Sequence, residues 1–399
     1  AEAHADGAAK PLAEVLPVFR ERRAELLHLL DTHRAAGEPV RWDAPGLRQC
    51  GTCGYCSQQV EEHDDLLRVA GLRSTQRVRL RAGGITTMTQ LASATAPPRG
   101  LAARTFEALR VQARLQAGLV DVPPDGGAVP GLGPGPSGSV TWSTQVVPGE
   151  GDPEPARTEQ HTLSYVVVDP APLRDLPPPD PGDVFFDFEG DPLWSVTDPA
   201  TGDVTWNIDY LFGLVERPGT PGEKPPFHAF WAHDLEQEKQ ALVDFVDYLA
   251  KRRAQHPGLH VYHYASYEKT HLLSIAARHG VYEQEVDDLL RQGVLVDLYS
   301  TVRHSLKVSA PSYSIKKLEP LYMGDQLRGG DVTDAAASVV AYATWCAARD
   351  AGDEDEAARL LRGIADYNEY DCLSTLRLHE FLLGLAGRSA PATSDVRTP

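Results

Sequence analysis

Cysteine is scarce: five in 399 residues, too few for a disulfide-held chain. No apolar run approaches the roughly eighteen residues that a membrane-spanning helix needs, which excludes one. Basic residues are the minority, 38 Lys and Arg against 56 Asp and Glu, for a net charge of −18. That balance excludes a broad, unspecific nucleic-acid coat. The opening AEAHADGAAKPLAEV lacks the basic and apolar regions of a secretory signal. It does not begin with Met, so the chain reads as a fragment whose N-terminus lies upstream. A hydrophobic content of 42% suffices for globular cores, and the length suggests two or three compact units.

Three of the five cysteines, Cys50, Cys53 and Cys56, crowd into seven residues. That spacing suggests metal binding in a reducing, cytoplasmic compartment. A closed tetrahedral zinc site or a 4Fe-4S cluster wants four ligands, and the run supplies three. His63 is a conceivable fourth but reads as a surface residue, and the truncated chain holding no metal is the third option. Cys346 and Cys372 lie in helical patterns and read as core.

The charge is uneven. Residues 1–120 carry a net of +3 and the remainder −21. Within 66–116 stand nine arginines and one acid, Glu107, a candidate polyanion-binding face. The segment LLRVAGLRSTQRVRLRAGGITTMTQLA (66–92) resembles a helix-hairpin-helix. Gly71 would close the hairpin against a phosphate at a helix N-terminus, flanked by Arg73, Arg77, Arg79 and Arg81. Before it, 1–65 carries a helix over about 10–34, with Pro17 kinking it or marking a later start, and then the Cys cluster. After the basic helical module of 66–118 comes a linker, 119–182. Eleven of residues 123–138 are Pro or Gly, which build no core, although 161–169 could supply an edge strand. The tail 385–399 is polar and reads as disordered.

Residues 183–384 read as an α/β domain. Strands are expected at 183–188, 210–216, 227–232, 259–264 and 294–299, with helices at 235–252, 267–280 and 357–384. Strands first, then strand and helix alternating, describe a mixed sheet flanked by helices.

In VFFDFEGDP (184–192), Asp187 and Glu189 are two apart in an apolar strand, so both project to one face. Two such carboxylates repel and cost desolvation, and a divalent cation is the simplest compensation. Glu268 follows an apolar strand at a strand-to-helix junction. Asp371 lies on the last helix, four residues after Tyr367, so phenol and carboxylate share a face. Converging around two metals, these groups could stabilise the attacking and leaving oxygens of a phosphodiester displacement. His263 and His271 read as structural. Asp191, before Pro192, fits turn chemistry, and Asp297 is a weaker acidic candidate. Lys316 and Lys317 could meet substrate phosphate.

These motifs resemble the RNase H-like 3′→5′ exonucleases of the DEDD type, in the variant whose last motif is Y-x-x-x-D. In detail they resemble the YprB-type RNase H-like domain of RecB-like putative nucleases. The matching stretches are DVFFDFEGDP, HAFWAHD, VYHYASYEKTHL, VDLYSTVRHSL, SYSIKKLEPLY and YNEYDCLSTLRL. The resemblance implies two Mg or Mn ions held by Asp187, Glu189, Glu268 and Asp371, with Tyr367 orienting the attacking water. Where the wider group has Asn and Asp in its middle motif, this chain has Tyr264 and Glu268. The resemblance also implies that the Cys cluster closes a PD-(D/E)XK nuclease module whose remaining Cys lies upstream of this chain. It implies a DNA or RNA substrate, a DNA-processing role and a helicase module in the parent protein. Two rivals stand beside this reading. One is a non-catalytic nucleic-acid-binding module with a degenerate site, favoured by Glu268. The other is a carboxylate-pair glycosidase, in which Tyr367 beside Asp371 would have no purpose.

Overall fold

The computed structural model describes residues 2–5, 8–37, 41–42, 49–51, 53–124, 126–146, 157–220, 222–324, 326, 332 and 334–389. Part of the expected linker, and the tail from 390, lie outside the described residues. The chain divides into two compact units, Ala1–Asp65 and Leu66–Pro399.

In the first unit, strands β1 (Glu2–Ala5) and β2 (Ala8–Pro11) pair antiparallel. Helix α1 (Leu12–Ala36) follows and runs through Pro17. Helix α2 (Gly54–Glu62) is capped by Cys53, whose Sγ accepts from the Cys56 backbone N–H.

The second unit opens with α3 (Ser74–Ala82), α4 (Met88–Ser93) and α5 (Ala103–Gln116). They close around Leu66, Leu80, Leu91 and Phe106. Thr87 and Gln90 form a reciprocal cap at the start of α4, which satisfies two backbone donors at once.

The expected linker folds more than anticipated. Strands β3 (Ser137–Val146) and β4 (Arg157–Val167) form a hairpin, and β4 also pairs with β10 (Leu306–Val308). Residues 161–169 therefore do not extend the larger sheet. They build a separate antiparallel sheet in the order β10-β4-β3, because Leu163, Val166 and Val167 are buried and need a packed face. Gln112 of α5 ties the helical segment to it by donating to the Val308 carbonyl at 2.7 Å.

Short helix α6 (Ala171–Arg174) leads to β5 (Val184–Thr197), β6 (Val204–Glu216) and β7 (Phe227–Trp231). Next come α7 (Leu235–Gln255), β8 (Val261–His263), α8 (Tyr267–His279), α9 (Glu283–Arg291) and β9 (Leu295–Asp297). Then follow α10 (Leu298–Ser305), β10, α11 (Ile315–Leu318), α12 (Ala335–Ala351) and α13 (Glu354–Leu385). The five-stranded sheet has the order β7-β6-β5-β8-β9. Its β5–β6 and β6–β7 pairs are antiparallel; β5–β8 and β8–β9 are parallel. The mixed sheet read from the sequence is thus present.

Strand alternation sets the two faces. Val184, Phe186 and Phe188 pack with the buried side chains of α7, α8 and α9. Phe185 packs the opposite way, against Cys372 and Leu376 of α13. The strand expected through 299 stops at Asp297, because the Asp297 side chain accepts from the Tyr299 N–H and caps α10. Among the described residues no helix is long and apolar enough to cross a membrane.

Candidate metal centre

Asp187 and Glu189 leave β5 on the face that meets α13. The β5–β6 register shifts between Glu189 and Gly190, so the strand is irregular beside the second acid. The irregularity is of the kind that re-aims side chains near active sites. Asp371 comes to them from α13. Each acid offers one oxygen, and the three oxygens lie within 4.8 Å of one another.

Neighbouring side chains hold the acids in place. Asn368 Nδ2 donates to Asp187 Oδ2 at 3.1 Å. Ser338, on the first turn of α12, donates to Glu189 Oε2 at 2.7 Å. Its hydroxyl also meets the Tyr210 hydroxyl at 2.6 Å, and Tyr210 stacks on Tyr342 at 3.8 Å. Lys316 Nζ donates to the Tyr367 hydroxyl at 2.8 Å. Helix α13 can lie this close to the sheet because Gly213 of β6 has no side chain. A Cβ there would overlap the Asn368 carboxamide.

Glu189 is 5% exposed. Burial, followed by the Asp371 carboxylate, pushes its carboxyl up to about 8. Ser338, Asn368 and Lys316 pull in the opposite direction. The donors are hard carboxylate oxygens, the kind that Mg²⁺ and Mn²⁺ take. An acid held protonated by burial and by its acidic neighbour is what a cation would relieve, so the residues fit a divalent ion. A metal must displace that proton. Apparent Mn²⁺ affinity should therefore climb about tenfold per pH unit below about pH 8 and level off above it. Without metal, the unfolded chain ionises Glu189 in the ordinary carboxyl range. The shift therefore makes the fold less stable as pH rises from there through about 8. Calorimetric Mn²⁺ titrations across that range check the first expectation; a flat affinity would put the proton elsewhere.

The structure does not bring every proposed residue to this cluster. Glu268 is buried at the start of α8, and its Oε2 is hydrogen-bonded to His263 Nδ1 at 3.1 Å. It is not in the three-acid group. His271 binds Asp209 Oδ2 at 2.8 Å. Asp191 lies within β5 rather than in a turn and accepts from the Leu193 N–H, and Asp297 accepts from the Ala265 and Tyr299 N–H groups. Lys317 is exposed on α11. Arg73 caps α3 and is exposed, Arg77 is buried, Arg79 is exposed and Arg81 is intermediate. Arg77 and Arg79, two positions apart, lie about 200° apart around the helix, so the four arginines share no single face. Gly71 has φ +78, and a Cβ there would overlap the Arg303 guanidinium. In the first unit, the Sγ atoms of Cys50, Cys53 and Cys56 lie within 4.8 Å of one another. His63 is hydrogen-bonded to Gln59 instead.

Sequence reasoning missed Asn368 and Ser338. Asn368 sits between the two motif residues. Ser338 is a lone hydroxyl in the apolar stretch DAAASVV, the one signal that could have marked it.

A mixed five-stranded sheet, with acids on its central strand and on a helix packed across it, defines an α/β protein of RNase H-like architecture. The family model of the RNase_H superfamily matches residues 184–383, half of the chain, and the chain belongs to that superfamily. No curated protein and no solved structure matches the chain.

Proposed function

We propose that this protein is a metal-dependent nuclease that hydrolyses nucleic-acid phosphodiester bonds, working as a 3′→5′ exonuclease of the Y-x-x-x-D type in DNA processing. The observation that carries the reading is the meeting of Asp187, Glu189 and Asp371 within 4.8 Å, with Tyr367 one helical turn from Asp371. Asp187, Glu189 and Asp371 hold Mg²⁺ or Mn²⁺, which when bound supplies Lewis-acid stabilisation of the attacking and leaving oxygens. Asn368 and Ser338 fix the carboxylate rotamers. The Tyr367 hydroxyl accepts a hydrogen bond from Lys316 and turns its own proton toward the attacking water or the phosphate. Glu268 would be the further carboxylate for a second ion, and in this structure it is bonded to His263. Cys50, Cys53 and Cys56 are three ligands for zinc or a 4Fe-4S cluster.

The test is degradation of end-labelled single-stranded DNA and RNA with Mg²⁺, Mn²⁺ or a chelator. Shortening from the 3′ end, abolished by the chelator, supports the reading; intact substrate under every condition overturns it. One observation favours the rival of a non-catalytic nucleic-acid-binding module: Glu268 is tied to His263 outside the acid cluster.

A further inference from the structure

Two adjoining cavities of about 750 and 420 Å³ open between the helical segment and the α10–β10 corner. Both are lined by Gly71, Arg73, Arg303, His304 and Lys307, so they form one trough. Arg104 of α5 lines the smaller end. The larger end reaches Ala265 and Ser266, just before α8.

The trough is basic in an acidic protein. Arg73, Arg104, Arg303 and Lys307 form no ion pair among the described residues. The one carboxylate in the lining, Asp297, is already bonded by two backbone N–H groups. Arg303 lies over the Tyr313 ring at 4.7 Å, and the Gly71 backbone is pressed against its guanidinium. Tyr313 in turn donates to Gln112 of α5 at 2.6 Å, so both walls are fixed by the same contacts. Burial, and then the Arg303 charge, lower the Lys307 ammonium to about 8. Four cations gathered without acidic partners repel one another, and an anion is the partner that would relieve them.

Its place indicates which anion. Ala265 and Ser266 follow the C-terminal end of β8, and Asp297 ends β9. Ligands of open α/β sheets bind beyond such strand ends. Strand β8 is the immediate parallel neighbour of β5, which carries Asp187 and Glu189. Strand β9 is one further along. At about 4.8 Å per strand, the trough begins on the order of 10 Å from the acid cluster. Two cavities joined through shared lining residues suit a chain of phosphates better than one free ion.

We propose that this trough binds the sugar-phosphate backbone of the substrate strand beside the nucleotide being cut. Arg73 and Arg104 come from the helical segment, and Arg303 and Lys307 from the sheet domain. The inference rests on the nuclease reading for its substrate, but it can fail separately. The helical segment then acts as half of a composite binding site, and the contacts come from only one of the four arginines suggested by the sequence of α3.

The test compares the parent with Arg73→Gln/Arg104→Gln, both exposed positions, and with Lys307→Gln. Arg291→Gln, an exposed arginine on α9, is the control. Binding of a fluorescein-labelled single-stranded oligonucleotide is measured by anisotropy in Ca²⁺ over a salt series. Each cation removed from the trough should lower the salt slope by about 0.7 and weaken binding at low salt, while the control matches the parent. In Mn²⁺, kcat/KM on the oligonucleotide should fall at least about tenfold more than on bis(p-nitrophenyl) phosphate, which fills only the acid cluster. Parental affinity and slope in the trough variants overturn the proposal, even if the parent cleaves. A parent that cleaves nothing overturns the nuclease reading, while the binding series still judges the trough. Melting temperatures of all variants separate weakened phosphate binding from unfolding.

Discussion

Asp371→Ala abolishes Mn²⁺ binding at the acid cluster, and cleavage goes with it. The variant removes one of three oxygens that lie within 4.8 Å of one another. Removing a group that only supports a ligand typically costs about 10–100-fold in metal affinity, and removing a ligand should exceed that. The fold should not suffer. Asp371 is one of the groups that push Glu189 up, so deleting it relieves repulsion in the metal-free protein. The expected record is a melting temperature equal to or above the parent's without metal, and no upward shift on adding Mn²⁺. A variant that still gains stability with Mn²⁺ and still degrades labelled single-stranded DNA would remove Asp371 from the site.

Tyr367→Phe should cut far more slowly while binding metal as the parent does. Positioning and proton-transfer groups typically contribute about 10²–10⁴-fold in rate, and the loss should appear in kcat with little change in Ca²⁺ affinity. The aromatic ring stays, so the packing of Tyr367 against the buried side chains around Tyr342 and Trp345 is kept. The hydroxyl that Lys316 approaches at 2.8 Å is gone, while the ring under its ammonium, at 5.1 Å, remains. Lys316→Met should lower the rate in the same direction, because the phenol loses the donor that orients it. Parental turnover by Tyr367→Phe would make the Y-x-x-x-D motif a packing feature, and the non-catalytic reading would gain.

The sequence shows some of these features because they depend on local period. Two-residue spacing in an apolar strand places Asp187 and Glu189 on one face, and four-residue spacing puts Tyr367 and Asp371 together. The sheet follows from alternating strand and helix patterns. Other features depend on partners far along the chain. Residues 306–308 pair with 165–167, which no short window reveals, so the sequence reads as a linker where a second sheet stands. Helix α12 is short of charged punctuation between Asp334 and Arg349, which hides Ser338 and the Tyr210–Tyr342 stack. Glu268 is a candidate by its junction position and by the resemblance of its motif. Sequence spacing cannot say that His263, five residues earlier, turns back to meet it. For the arginines, composition locates a basic segment, but burial of Arg77 and recruitment of Arg303 and Lys307 are decided by tertiary packing.

Gly213 carries no reactive atom, yet it sets the depth at which α13 seats on the sheet. Asn368 occupies the space where a Cβ would stand, and that same side chain reaches Asp187 while Asp371 lies one turn further along the helix. Acids separated by more than 180 residues in sequence are therefore gauged from one bare patch of backbone. A methyl group added there acts as a shim, lifting the helix and spreading the acids apart. Such damage would register in a metal titration as weakened binding with all three acids intact, traceable to a strand that contributes none of them.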